Sequence, residues 1–107
     1  MQSNVDVLLN EMQYCLMRDR RASERKSFVR PVIIRNLRGS ETSTAFTRDI
    51  SQQGVGILEQ RSRERGSIAR LDIYSLLHET ISIEAEVRWC EPFGPDWFIT
   101  GWAFLKG

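Results

Sequence analysis

Apolar residues at Val5, Leu8, Leu9, Met12, Cys15 and Leu16 recur at i, i+3, i+4 and i+7, the stripe of an amphipathic helix over residues 4–17 that Ser3 or Asn4 can cap. A lone helix of this length is marginal in water. The stripe therefore needs a cover, either the rest of the domain or the same helix of a second subunit. From Phe28 onward the period shortens to two, and β-rich runs predict strands over residues 28–36, 42–48, 55–58, 68–74, 80–89 and 97–105. The alternation is clearest at 81–87, where Ile81, Ile83, Ala85 and Val87 share one face and Ser82, Glu84 and Glu86 the other. Gly39-Ser40, Gln52-Gln53-Gly54, Arg65-Gly66 and Pro92-Phe93-Gly94-Pro95 separate the runs at hairpin spacing. That punctuation favours an antiparallel barrel over a crossover fold, with Leu76-Leu77-His78 as a short turn. The expected fold is all-β: a six-stranded antiparallel barrel with a flanking N-terminal helix.

Arg18 to Lys26 lacks apolar periodicity and reads as a linker whose conformation a ligand can order. The 107 residues suit one domain. A formal net charge of +1 argues against a uniformly basic nucleic-acid binder. The charge is nevertheless uneven: residues 18–38 hold eight basic and two acidic side chains, a local +6 against −5 elsewhere. Either an anionic ligand or a solvated basic face accounts for this. Cys15 and Cys90 are far apart and belong to no Cys/His cluster, so neither a zinc site nor a disulfide framework is expected, and the setting reads as reduced and cytoplasmic. No leader-like start and no run of the roughly 18 apolar residues a membrane span requires is present, and no membrane partner is expected.

Two short constellations carry the chemistry. Arg20-Arg21-Ala-Ser-Glu-Arg25 concentrates three guanidinium groups between the helix and the first strand. Arginine donates paired hydrogen bonds to phosphate and stacks its flat face on a purine. Asp49-Ile-Ser51-Gln-Gln-Gly54 lies between two predicted strands. In an extended segment Asp49 and Ser51 project to one side while Ile50 turns inward, and Gly54 permits a tight bend or close approach. A carboxylate accepts from the N1 and N2 donors of guanine, and the serine hydroxyl can serve phosphate or neighbouring backbone. Alone, the second constellation equally describes an ordinary Asx or serine-capped turn.

In this order the two resemble the RxxxR and (D/N)xSxxG signatures of PilZ domains, with Arg25 and Asp49 separated by 24 residues. Val55-Gly-Ile57 resembles the apolar strand after the motif glycine, and Phe98-Ile-Thr-Gly101-Trp-Ala-Phe104 the closing strand. The resemblance covers roughly residues 20–105. With the periodicity placing the helix within 1–19, it implies a PilZ-type barrel over 20–107, whose arginine segment, 20–26, wraps cyclic di-GMP on the outer barrel surface. It also implies ligand contacts from Arg20, Arg21, Arg25, Asp49, Ser51 and Gly54. The ligand is the only small molecule implied, without a further cofactor or metal, and a downstream protein partner is expected. An arginine directly before RxxxR implies two stacked ligands. Arg25-Lys26-Ser-Phe-Val-Arg30 is a second register for the basic motif, but it shortens the path to Asp49 to 19 residues and replaces an arginine by lysine.

Catalysis finds little support. His78 is the only histidine and lacks a serine or cysteine partner. Glu84 and Glu86 share a strand face without a pocket signature and read as solvent-facing. Trp89, Trp97 and Trp102 read as core or rim residues of the barrel. No catalytic residue is assigned, and the chain is expected to be a receptor or adaptor. A degenerate PilZ-type module that binds a protein and no nucleotide is the alternative, and a small oligonucleotide-binding barrel the third reading. A homodimer through the first helix stays open.

Overall fold

The computed structural model describes Val5, Leu8 and residues 26–38, 41–77 and 79–105. The helix expected over 4–17, apart from Val5 and Leu8, lies outside the described residues, as do Arg20, Arg21, Arg25 and His78. Of the apolar stripe, Leu8 is fully buried in the core and Val5 packs against it. At these two positions the cover is the chain's own domain.

Seven strands are present: β1 (Lys26–Ser27), β2 (Pro31–Asn36), β3 (Thr42–Ile50), β4 (Gly54–Glu59), β5 (Ile68–Tyr74), β6 (Thr80–Pro92) and β7 (Phe98–Phe104). The order is β1-β3-β2-β5-β6-β7-β4, and β3 also pairs with β4, so the six longer strands close into an antiparallel barrel. Closure leaves these strands no free edges. The predicted β2 begins three residues late: Phe28 to Arg30 lie before it, pinned by the buried Thr47, whose hydroxyl accepts from Arg30 N at 2.8 Å and donates to Phe28 O. Lys26, read as linker, instead pairs with Ile50 in β1.

Inward side chains fill the barrel: Val32 and Ile34 from β2, Val55 and Ile57 from β4, Leu71 and Ile73 from β5, Val87 from β6 and Trp102 from β7. Burying each such side chain contributes about 1.5–3 kcal/mol. A polar cluster closes one region of this interior. Glu59, 1% exposed, accepts from Arg63 Nε at 2.9 Å and from Thr100 Oγ1 at 2.7 Å; Trp102 Nε1 donates to Thr100 Oγ1 at 2.8 Å, and Arg63 reaches Ser43 Oγ at 2.9 Å. Both carboxylate oxygens are thus paired, which is the condition for tolerating a buried charge.

Candidate ligand face on the outer barrel wall

Strict alternation along β3 would turn Asp49 inward. Ala45 and Thr47 are buried while Thr44, Phe46 and Arg48 are exposed, so Asp49 falls on the inward phase. The β3–β4 ladder slips between Thr47 and Asp49, with Thr47 opposite Ile57 and Asp49 opposite Gly56. Arg48 is the extra residue of this bulge. A bulge adds one unpaired residue and shifts the phase of the strand beyond it, so Asp49 emerges on the outer wall and Ile50 returns to the core, 0% exposed. Ile50 turns inward as expected, but the outward facing of Asp49 comes from the bulge and not from unbroken extended geometry.

The same device recurs on β6. Ile81, Ile83, Ala85 and Val87 alternate inward, which would carry Trp89 into the core. The β6–β7 ladder slips between Val87 and Trp89, Val87 facing Trp102 and Trp89 facing Gly101. Arg88 is the extra residue, and Trp89 turns outward at 38% exposure. Of the three tryptophans, Trp102 is core, Trp97 sits exposed beside the β6–β7 turn, and Trp89 lies on the outer wall.

The two bulges face each other across β4 and β7. Asp49 pairs with Gly56, Gly56 with Gly101 and Gly101 with Trp89, forming one row over four strands. The two central positions have no side chains, so the flanking groups lean over them. A Cβ at Gly56 would sit 2.6 Å from Asp49 Oδ1, and a Cβ at Gly101 would sit 2.2 Å from the Trp89 ring. Gly54 and Ala103 pair in the neighbouring row and continue the low floor. Beside it runs an open groove of about 560 Å³ lined by residues 52–54, Arg88, Trp89 and residues 101–104, within the usual size for small-molecule sites.

Asp49 Oδ1 accepts from Gly56 N at 3.1 Å. Oδ2 accepts from Arg48 Nε at 2.9 Å and Nη2 at 2.8 Å. Ser51 behaves differently. Its hydroxyl accepts from the amides of Gln53 and Gly54, both at 3.2 Å, and its own amide donates to Gly54 O at 2.9 Å. Ser51 therefore ties the β3–β4 turn together and is 8% exposed. Gly54 meets β7 so closely that a Cβ would lie 2.1 Å from the Trp102 carbonyl oxygen. Within β1, Ser27 stands opposite Asp49 across the other edge of β3 from Gly56, so β1 joins β3 at the same residue.

The PilZ domain family model matches residues 19–105. The chain belongs to the PilZ domain family. Among solved structures, this PilZ chain is similar to the Bacillus subtilis inhibitor of motility MotI/DgrA, with a TM-score of 0.61 and 22% identity. The match covers 82% of this chain and 43% of that one, so the present PilZ domain spans less than half of its structural neighbour. At this identity the likeness concerns the barrel fold. No curated protein matches the sequence. Among the described residues, no helix is long and apolar enough to cross a membrane.

The PilZ signature residues thus separate by role. Asp49 is displayed on the outer wall, whereas Ser51 and Gly54 build the turn behind it. Trp89, Gly56 and Gly101, which share the outer row with Asp49, belong to neither linear motif. Gly56 stands two positions beyond the motif glycine and alternates with inward Val55 and Ile57, which is the one sequence signal of an unobstructed outer row.

Proposed function

We propose that the chain is a cyclic di-GMP receptor or adaptor, its ligand lying on the outer wall across the row Asp49–Gly56–Gly101–Trp89. The observation that carries the reading is the presentation of a carboxylate and an indole from opposite banks of a side-chain-free floor. The carboxylate accepts from the guanine N1 and N2 donors. The indole provides a surface on which a purine stacks, a contact worth about 1–3 kcal/mol per base. Phosphates fall to Arg20, Arg21 and Arg25, and Arg25 directly precedes Lys26, which is in register with Ile50. Ligand binding fixes the arginine segment against the barrel, and the changed surface is read by a downstream protein. Charge-assisted hydrogen bonds of about 1.5–3 kcal/mol each are large enough to offset ordering several residues at about 1–2 kcal/mol apiece. The action is recognition and not catalysis, in a cytoplasmic setting.

The test is isothermal titration with cyclic di-GMP, with GTP and cyclic di-AMP as controls. Arg21→Ala, Arg25→Ala and Asp49→Ala are each expected to abolish binding while the far-UV spectrum of the barrel is retained. Normal binding by all three variants sinks the site assignment. A second reading, a module that binds protein and no nucleotide, draws on one observation: Ser51 and Gly54 have complete structural explanations without a ligand. Absence of binding in the wild-type protein would select it.

A further inference from the structure

We infer that Arg48 is an internal mimic of the guanine edge, competing with the ligand for Asp49 and so setting the affinity of the site. The inference rests on the cyclic di-GMP reading and adds to it a residue outside both motifs. Arg48 is the extra residue of the β3 bulge, and its side chain remains on the outer wall beside the carboxylate. Nε and Nη2 converge on Asp49 Oδ2 at 2.9 and 2.8 Å, while Gly56 N holds Oδ1 at 3.1 Å. The amide occupies one acceptor site of Oδ1, and Arg48 lies across Oδ2.

The chemistry of the two occupants is the same. A guanidinium presents two N–H donors joined through one carbon. Guanine presents N1–H and N2–H joined through its C2 in the same way. Arg48 sets both of its donors on Oδ2, whereas the guanine edge spans both carboxylate oxygens, so guanine gains its full two-donor contact with Asp49 where Arg48 has swung away. The observed affinity is the intrinsic affinity scaled by that open fraction. The pair is partly solvated, with side-chain exposures of 43% for Arg48 and 16% for Asp49. Such pairs are weak, so the latch opens readily and attenuates binding modestly without blocking it.

The experiment is titration of wild type and Arg48→Gln with cyclic di-GMP, at physiological and at raised ionic strength. Raised salt screens both the long-range loss of one positive charge and the Arg48–Asp49 pair itself. The variant is expected to bind roughly two- to fivefold tighter at physiological ionic strength, with the gain shrinking at high salt, where the pair itself is screened. Arg48→Lys, which keeps the charge but has no planar two-donor edge, is expected to move in the same direction. Unchanged or weaker binding by both variants, with wild type binding, overturns the inference and makes Arg48 a bystander or a direct ligand contact. If neither wild type nor variants bind, the receptor reading itself fails and the competitor falls with it. The Arg48 Nε–H resonance separates these cases: in the wild-type protein it should shift toward the free-arginine position as cyclic di-GMP is added.

Discussion

The indole of Trp89 covers Gly101 so closely that a Cβ on residue 101 would lie 2.2 Å from ring atoms Cε2 and Nε1. Any side chain at 101 must therefore displace the ring. Gly101→Ala is expected to shift Trp89 off the glycine row, changing its fluorescence and lowering cyclic di-GMP affinity at least tenfold. Crowding costs of about 1–3 kcal/mol are expected in urea denaturation. Retained affinity with altered fluorescence would remove Trp89 from the ligand site.

Two other glycines predict opposite outcomes for different reasons. A Cβ at Gly54 meets the Trp102 carbonyl at 2.1 Å, a backbone atom that cannot rotate away, whereas nothing lies within 4 Å of a Cβ at Gly66. Gly66 has φ +93°, so alanine there costs only left-handed backbone strain, about 1–2 kcal/mol. Gly54→Ala should be the more damaging, at about 3 kcal/mol or more, because β4 and β7 must separate. Urea midpoints of the two variants check the order.

Removing Arg63 strands a buried anion. Glu59 is 1% exposed and receives Arg63 at 2.9 Å, so Arg63→Ala is expected to cost about 3–5 kcal/mol. That is a large part of the total stability of a small domain. The double variant Glu59→Gln with Arg63→Met removes both charges and should recover most of the loss. Equal instability of single and double variants would show that packing, not the unpaired charge, is what matters.

Asp72 on β5 predicts a pH dependence. Burial pushes its carboxyl pKa up, but hydrogen bonds from Arg35 and Ser82 and the charges of Arg35 and Arg70 outweigh that, and the net effect is a pKa below the ordinary 3.8. A folded-state value lower than the unfolded one contributes stability that is complete above the unfolded pKa and is lost as pH falls through the folded value. Asp72→Asn should therefore lower stability at neutral pH by about 1 kcal/mol and flatten the decline below about pH 4. Urea titrations across the acid range measure both; parallel curves would assign the acid sensitivity to other groups.

The regular parts of the fold were legible because their periodicity is local. Ile81 to Val87 alternate as the barrel requires, and Ile68 to Tyr74 form a strand with the expected ends. The arrangement of the outer wall was less legible. Whether Asp49 and Trp89 face in or out depends on a ladder slip that exists only between paired strands, and no property of Arg48 or Arg88 alone announces it. Glu59 was equally hidden: its partners Arg63 and Thr100, and Ser43 beyond Arg63, come from three parts of the chain. The signature motif spans the β3–β4 turn, but its linear order concealed that Ser51 and Gly54 serve the backbone while Asp49 faces outward.

The bulges at Arg48 and Arg88 also bear on how such a surface arises. Each gives the wall two consecutive outward-facing side chains, Arg48 with Asp49 and Arg88 with Trp89, while the inward series on either side keeps its places. Deleting the codon for Arg48 or Arg88 would restore a regular ladder with the acid or the indole still outside, but stripped of its basic neighbour. Conversely, a one-residue insertion is absorbed entirely by the wall and asks nothing new of the core. Gain or loss of single residues, more than substitution, is then a route by which lineages of this barrel could add or remove a cation beside Asp49 or Trp89 without repacking the interior.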